Sequence, residues 1–86
     1  MDKMDPRVLA ILSAHNGQLV LRFTNGEVRR FDVRPFMLRG PALAPLVDPT
    51  LFAAARVVSG AVEWPGEIDL CYHTLYPDSV PVPPAN

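Results

Sequence analysis

RVLAILSAHNGQLVLRFTNGEVRRFDV, residues 7–33, is a series of apolar-rich runs interrupted at Asn16-Gly17 and Asn25-Gly26. On a strand successive side chains point to opposite faces, so each run can be sorted by face. Asn-Gly between two such runs is a strong hairpin signal, because a type I′ turn needs positive φ at both central residues. The pattern predicts a three-stranded meander near 7–14, 18–24 and 27–33. With two-residue turns at both sites, Ala14 opposes Leu19, Leu12 opposes Leu21, Ala10 opposes Phe23 and Phe23 opposes Val28. One face then collects Val8, Ala10, Leu12, Ala14, Leu19, Leu21, Phe23 and Val28 as the expected core. The other face carries Leu9, Ile11, Val20, Phe31 and Val33 with Ser13, Arg22 and Arg29. It is half apolar, so a partial cover is expected there.

Downstream, RPFMLRGPALAPLVDP is punctuated by proline, with one helical turn expected at 36–38 before Gly40-Pro41. Asp48-Pro49 is a helix start, an acidic N-cap followed by proline at the first helical position. The helix is expected over 49–55, followed by an extended 56–59 and a bend at Ser59-Gly60. Residues 61–64 and 68–70 read as strands around Pro65-Gly66. Proline suits a type I or II turn and not the primed types, so this connection is expected to be wider or twisted. A last helical turn is expected at 74–76, after which Pro77, Pro81, Pro83 and Pro84 stop regular structure. The chain thus reads as a single α+β domain over 7–77, an antiparallel meander of three N-terminal strands with a short helix and a C-terminal hairpin-like pair. A loose start at 1–6 and a Pro-rich extended or disordered tail at 78–86 flank it.

A length of 86 residues allows one small domain, and 49% hydrophobic residues set it apart from disordered chains. A lone Cys71 excludes an internal disulfide and suits a reducing compartment. No apolar run nears the roughly 20 residues of a bilayer span, and no basic leader precedes a long apolar core. A cytoplasmic location and no membrane partner are expected. The net charge of −1 is unevenly spread. Arg22, Arg29, Arg30, Arg34 and Arg39 against Glu27 and Asp32 give +3, whereas Glu63, Glu67, Asp69 and Asp78 give −4. Such a split closes on itself in a fold more readily than it marks a function.

Candidate chemistry concentrates in VEWPGEIDLCYHTLY, residues 62–76. Asp69, Cys71 and His73 alternate with Leu70 and Tyr72, so on an extended strand they point the same way, and their donor types suit zinc. No CxxC or HxxxH pair and no fourth ligand accompany them, so the metal expectation is none. Cys71 with His73 as base lacks an orienting third group, and residues two apart on a strand have roots about 7 Å apart. Glu63 and Glu67 read as solvated turn acids. No catalytic residue and no cofactor are assigned. In the predicted register Arg22 and Arg29 lie directly opposite, which calls for an acidic neighbour: Glu27 locally, or Glu63, Glu67 or Asp69 from afar. Arg22, Arg29, Phe31 and Trp64 are the candidate contact residues.

The phrases LRFTNGEVRRFDVRPFM, LxxLVDPTLFxxARV, VEWPGEIDLCYHTLY and SVPV, in that order over about residues 7–82, resemble the bacterial domain of unknown function family 2442. Pro-Gly-Glu stands where relatives often have Asn-Gly, and His73 where an acidic residue is expected. The resemblance implies a small α+β domain around an antiparallel sheet, found alone or fused to a helix-turn-helix domain. Stand-alone members often lie beside another small protein, which implies a regulatory or toxin–antitoxin-like setting. The family has no established catalytic residues to carry over. Three readings follow. The first is a non-catalytic interaction or regulatory module, antitoxin-like in its narrowest form, with an unidentified protein partner. The second is an accessory to a DNA-associated regulator, acting through the 22–39 arginines; nucleic acid is not the favoured partner. The third is a small metal- or thiol-dependent enzyme around Asp69, Cys71 and His73. A homodimer stays open, because small domains gain core by association.

Overall fold

Asn16-Gly17 folds as its chemistry requires. In the computed structural model, which describes residues 5–83, Asn16 has φ 56° and Gly17 φ 73°. The turn joins β1 (Val8–His15) to β2 (Gln18–Phe23) and pairs His15 with Gln18 and Ala14 with Leu19. Beyond that point strict alternation fails. Ser13 pairs with Val20, Ile11 with Leu21, Ala10 with Arg22 and Val8 with Phe23, so Leu12 and Leu9 are skipped. Each bulge leaves one residue unpaired and bends the strand. The inward residues of β1 therefore recur every three positions, as Val8, Ile11 and Ala14. Leu9 and Leu12 are 60% and 45% exposed. The expected pairing of Leu12 with Leu21 and of Ala10 with Phe23, and the core place given to Leu12, are corrected accordingly.

The second Asn-Gly turn differs from the first. The Phe23 amide donates to the Glu27 carbonyl at 2.9 Å, and the Gly26 amide donates to the Phe23 carbonyl at 2.9 Å. The loop is thus Thr24-Asn25-Gly26, with positive φ at Gly26 (88°) and not at Asn25. This is the three-residue hairpin that ends on a left-handed glycine. The Asn25 side chain spans it by accepting from the Glu27 amide at 3.0 Å. One added loop residue slips β3 (Val28–Asp32) by one position against the predicted register. Arg22 pairs with Val28, Leu21 with Arg29 and Leu19 with Phe31. A slip of one exchanges the faces of a strand. Phe31 and Val33 are consequently buried, at 1% and 0% exposure. Arg22 and Arg29 do not face each other.

β7 (Val80–Pro81) completes the first sheet, in the order β1-β2-β3-β7. Arg30 pairs with Val80, and the Val82 amide donates to the Val28 carbonyl at 2.9 Å. Proline is tolerated on such an edge because it has no amide hydrogen to offer outward. Part of the segment read as a tail is thus an edge strand. Residues 1–4 and 84–86, which include Pro84 and parts of the expected loose start and tail, lie outside the described residues.

The expected hairpin-like pair is a three-stranded antiparallel sheet of β4 (Arg56–Val58), β5 (Ala61–Trp64) and β6 (Ile68–Leu70). Ser59 (φ 51°) and Gly60 (φ 81°) form a tight hairpin turn and not a mere bend. Pro65-Gly66-Glu67 spans the wider connection, with Gly66 at φ 92°. The Gly60 carbonyl accepts from the Val8 amide at 2.9 Å and ties the sheets together. A Cβ at Gly60 would meet the Arg7 Cβ at 2.8 Å, so the close approach requires glycine.

Three one-turn helices, α1 (Arg34–Met37), α2 (Pro49–Phe52) and α3 (Tyr72–Leu75), and a 3-10 turn (Ala44–Val47) fill the connections. Asp48 caps α2 as expected, accepting from the Thr50 amide at 2.9 Å. The helix ends at Phe52, short of the expected 49–55. None of the described helices is long and apolar enough to cross a membrane. Inward residues of both sheets meet in one core. Leu19, Leu21, Phe23 and Phe31 come from the first sheet, Val62, Trp64, Ile68 and Leu70 from the second, and Leu46, Phe52 and Leu75 from the turns between.

Candidate functional site

The slipped registers decide what the first sheet shows to solvent. Its outward rows run Ser13–Val20–Arg30–Val80 and Ala10–Arg22–Val28. Arg22 and Arg30 are exposed there, Val80 is 53% exposed, and the two bulged leucines stand along the β1 side. The result is an open face on which aliphatic groups and guanidinium groups alternate. At its β3 end the face runs into a cleft of about 600 Å³ between β3, α1 and the start of β7. Arg30, Arg34 and Arg39 line it, with Asp32 and Asp78 also in its wall. Arg34 is pinned by two bonds to the Asp32 carboxylate, each 2.9 Å. Arg39 lies over the Phe36 ring at 4.7 Å. The Arg34 guanidinium holds the Asp32 carboxyl below its ordinary value of 3.8. Reciprocally, Asp32 raises the Arg34 guanidinium above its ordinary value.

Arg29, on the inward side of β3, belongs to a polar clasp. Its Nη1 donates to Glu27 Oε1 at 2.7 Å, its Nε to Ser79 Oγ at 2.6 Å and its Nη2 to the Ser79 carbonyl at 2.8 Å. The guanidinium also sits over the Tyr76 ring at 4.6 Å. The Tyr76 hydroxyl donates to Glu27 Oε2 at 3.0 Å, and Asn25 Nδ2 donates to the same oxygen at 2.9 Å. The clasp fastens the segment after α3 onto the β2–β3 hairpin. Bonds from Arg29 first, and then from Tyr76, hold the Glu27 carboxyl below its ordinary value of 4.5. The acidic neighbour demanded by an arginine on β3 is thus the local Glu27. Glu63, Glu67 and Asp69 border a separate shallow depression on the second sheet.

Of the contact candidates, Arg22 alone stays free on the open face. Arg29 is bound in the clasp. Phe31 packs in the core against Phe36, with ring centroids 5.3 Å apart. Trp64 is 2% exposed, and its indole N–H donates to the Phe52 carbonyl at 2.9 Å. Neither Phe31 nor Trp64 offers a surface, because the hairpin slip turned the first inward and the indole found its partner inside. Asp69, Cys71 and His73 do not share a face. β6 ends at Leu70, Cys71 is the N-cap of α3 and His73 is inside that helix, where its ring lies 3.6 Å from the Asp5 carboxylate. Among the described residues no three His, Cys, Asp or Glu side chains gather as a metal site.

Leu9, Leu12 and Arg30 were missed as surface contacts. The run VLAIL carried a signal: its apolar residues are consecutive, so strict alternation puts large aliphatic groups on both faces and does not single out the core side.

No curated protein and no solved structure matches the chain. The family model described as protein of unknown function (DUF2442) matches residues 11–80, and the chain belongs to that family.

Proposed function

We propose that this protein is a non-catalytic interaction module of regulatory type that meets a protein partner through the open face of its four-stranded sheet. The observation that carries the reading is the paired bulge in β1. It costs ladder bonds and keeps Leu9 and Leu12 out of the core, at 60% and 45% exposure, beside Arg22 and Arg30. Bulges re-aim side chains at edges and functional sites, and exposed aliphatic groups interleaved with arginine have the composition of a contact surface. An antitoxin-like role in the cytoplasm is the narrower form of this reading; its support is the setting that the family resemblance implies. A duplex-binding role has weaker support. Arg29 and Arg34 are already engaged by Glu27 and Asp32, and the net charge is −1, unlike the basic balance of nucleic-acid domains.

The test is copurification at native expression, with wild type compared to a Leu9→Asp/Leu12→Asp variant whose fold is checked by circular dichroism. Wild type is expected to retain one stoichiometric partner. The variant is expected to stay folded and to bind that partner at least about tenfold more weakly, roughly 1.4 kcal/mol. Equal retention by the folded variant, or repeated recovery of wild type alone, contradicts the reading.

A further inference from the structure

The cleft at the β3 end of the open face says what chemistry the partner brings. It contains three arginines and two aspartates, a balance of +1. Arg34 is fixed by Asp32 and Arg39 is laid over Phe36, so two of the three guanidinium groups are held in place before any ligand arrives. Arg30 and Arg39 have no carboxylate within ion-pair distance among the described residues. A guanidinium fork matches a carboxylate in plane and spacing. A balance of +1 suits one carboxylate better than a polyanion, whose phosphates would also meet Asp32 and Asp78. Arg34 is at the same time a wall of a second cleft of about 430 Å³, whose other walls include His15, Asn16, Met37, Val47 and Phe52. That second cleft is largely apolar; Val47 stands 66% exposed at it, whereas Met37 and Phe52 are buried. One arginine therefore separates an anion-accepting hollow from an aliphatic one.

We propose that the two clefts together bind a short partner segment in which an acidic residue lies close in sequence to a bulky aliphatic one. The carboxylate enters between Arg30 and Arg39, beside the Asp32-bound Arg34, and the aliphatic side chain lies against the exposed Val47. The proposal rests on the interaction-module reading and names the chemistry of its partner.

The test is selection of a random peptide library on the immobilised full chain, wild type beside an Arg30→Glu/Arg39→Glu variant. Wild type is expected to enrich peptides with Asp or Glu within about three residues of Leu, Ile or Phe. A synthetic peptide from that pool is expected to bind the folded variant at least about tenfold more weakly, and to bind wild type less well as salt rises. No enrichment, an enriched pool without acids, or equal affinity for the variant overturns the proposal. So does a duplex-DNA shift, or a self-associated species in sedimentation, that the variant abolishes while no peptide is selected. Those results would assign the cleft to nucleic acid or to a second copy. The two readings fail separately: a native partner lost with Leu9→Asp/Leu12→Asp but kept with Arg30→Glu/Arg39→Glu leaves the module standing and removes the cleft.

Discussion

Replacing Trp64 by alanine is expected to remove about 3–5 kcal/mol of folding stability, the usual cost of truncating a large buried aromatic. Trp64 is 2% exposed and stacks on Phe52 with centroids 5.8 Å apart. Its indole bonds the Phe52 carbonyl, so alanine leaves both a cavity and a buried acceptor without its donor. For a domain of 86 residues the whole stability is roughly 4–13 kcal/mol, so the loss is a large fraction of it. Trp64→Phe separates the two contributions. It keeps a ring beside Phe52 and removes the donor, for an expected loss of about 1–3 kcal/mol. Denaturant unfolding of both variants measures this. A loss below about 0.5 kcal/mol for Trp64→Ala, typical of surface positions, would return Trp64 to the surface and reinstate it as a contact residue.

Arg29→Ala is expected to cost about 2–3 kcal/mol at neutral pH, from charged hydrogen bonds and the stacking on Tyr76 that no other residue replaces. The Arg29 side chain is 14% exposed, whereas Glu27 is 43% exposed and regains water when Arg29 is removed, which offsets part of the loss. The effect depends on pH with a defined sign. Glu27 has its carboxyl lowered in the folded protein. The stability this contributes is present above its ordinary value of 4.5 and is lost as pH falls through the lower folded value. In Arg29→Ala the largest cause of that lowering is gone. The difference between wild type and variant, followed by denaturant midpoint, is therefore expected to narrow as pH is taken from neutral to below 4. A difference that stays constant or widens would mean that the Arg29–Glu27 bond does not hold the clasp. The Asp32–Arg34 pair is present in both proteins and cancels.

Turn chemistry and capping could be read directly from the chain. Asn16-Gly17 formed the primed turn, Asp48-Pro49 started α2 and Pro65-Gly66 sat in a wider connection. The α+β class and antiparallel sheets followed from these local rules. Register did not, because it depends on single-residue events with weak signatures. Asn25-Gly26 is compatible with a two-residue and a three-residue loop. The choice between them exchanges Phe31 for Arg30 on the outer face, and burying phenylalanine beside Leu19 and Phe36 decides it. Likewise strict alternation puts aliphatic residues of VLAIL on both faces, and the three-residue spacing of Val8, Ile11 and Ala14 is a property of the packed strand. The predicted open face erred for these reasons. It included Phe31, placed Arg22 opposite Arg29 and omitted Leu12 and Arg30. The metal and thiol grouping failed for another reason, the start of α3 at Tyr72, two residues before the expected turn at 74–76.

Everything proposed about binding depends on which side chains of the first sheet face outward, and backbone NMR tests that directly. Phe23 and Glu27 form a hydrogen-bonded pair, so the neighbouring pair Arg22–Val28 is of the close type, with α-carbons about 4.5 Å apart. A strong Hα–Hα contact between Arg22 and Val28, with Ile11 and not Leu12 across from Leu21, is the predicted result. Pairing of Phe23 with Val28 and of Leu12 with Leu21 would restore strict alternation, turn Phe31 outward and contradict the account.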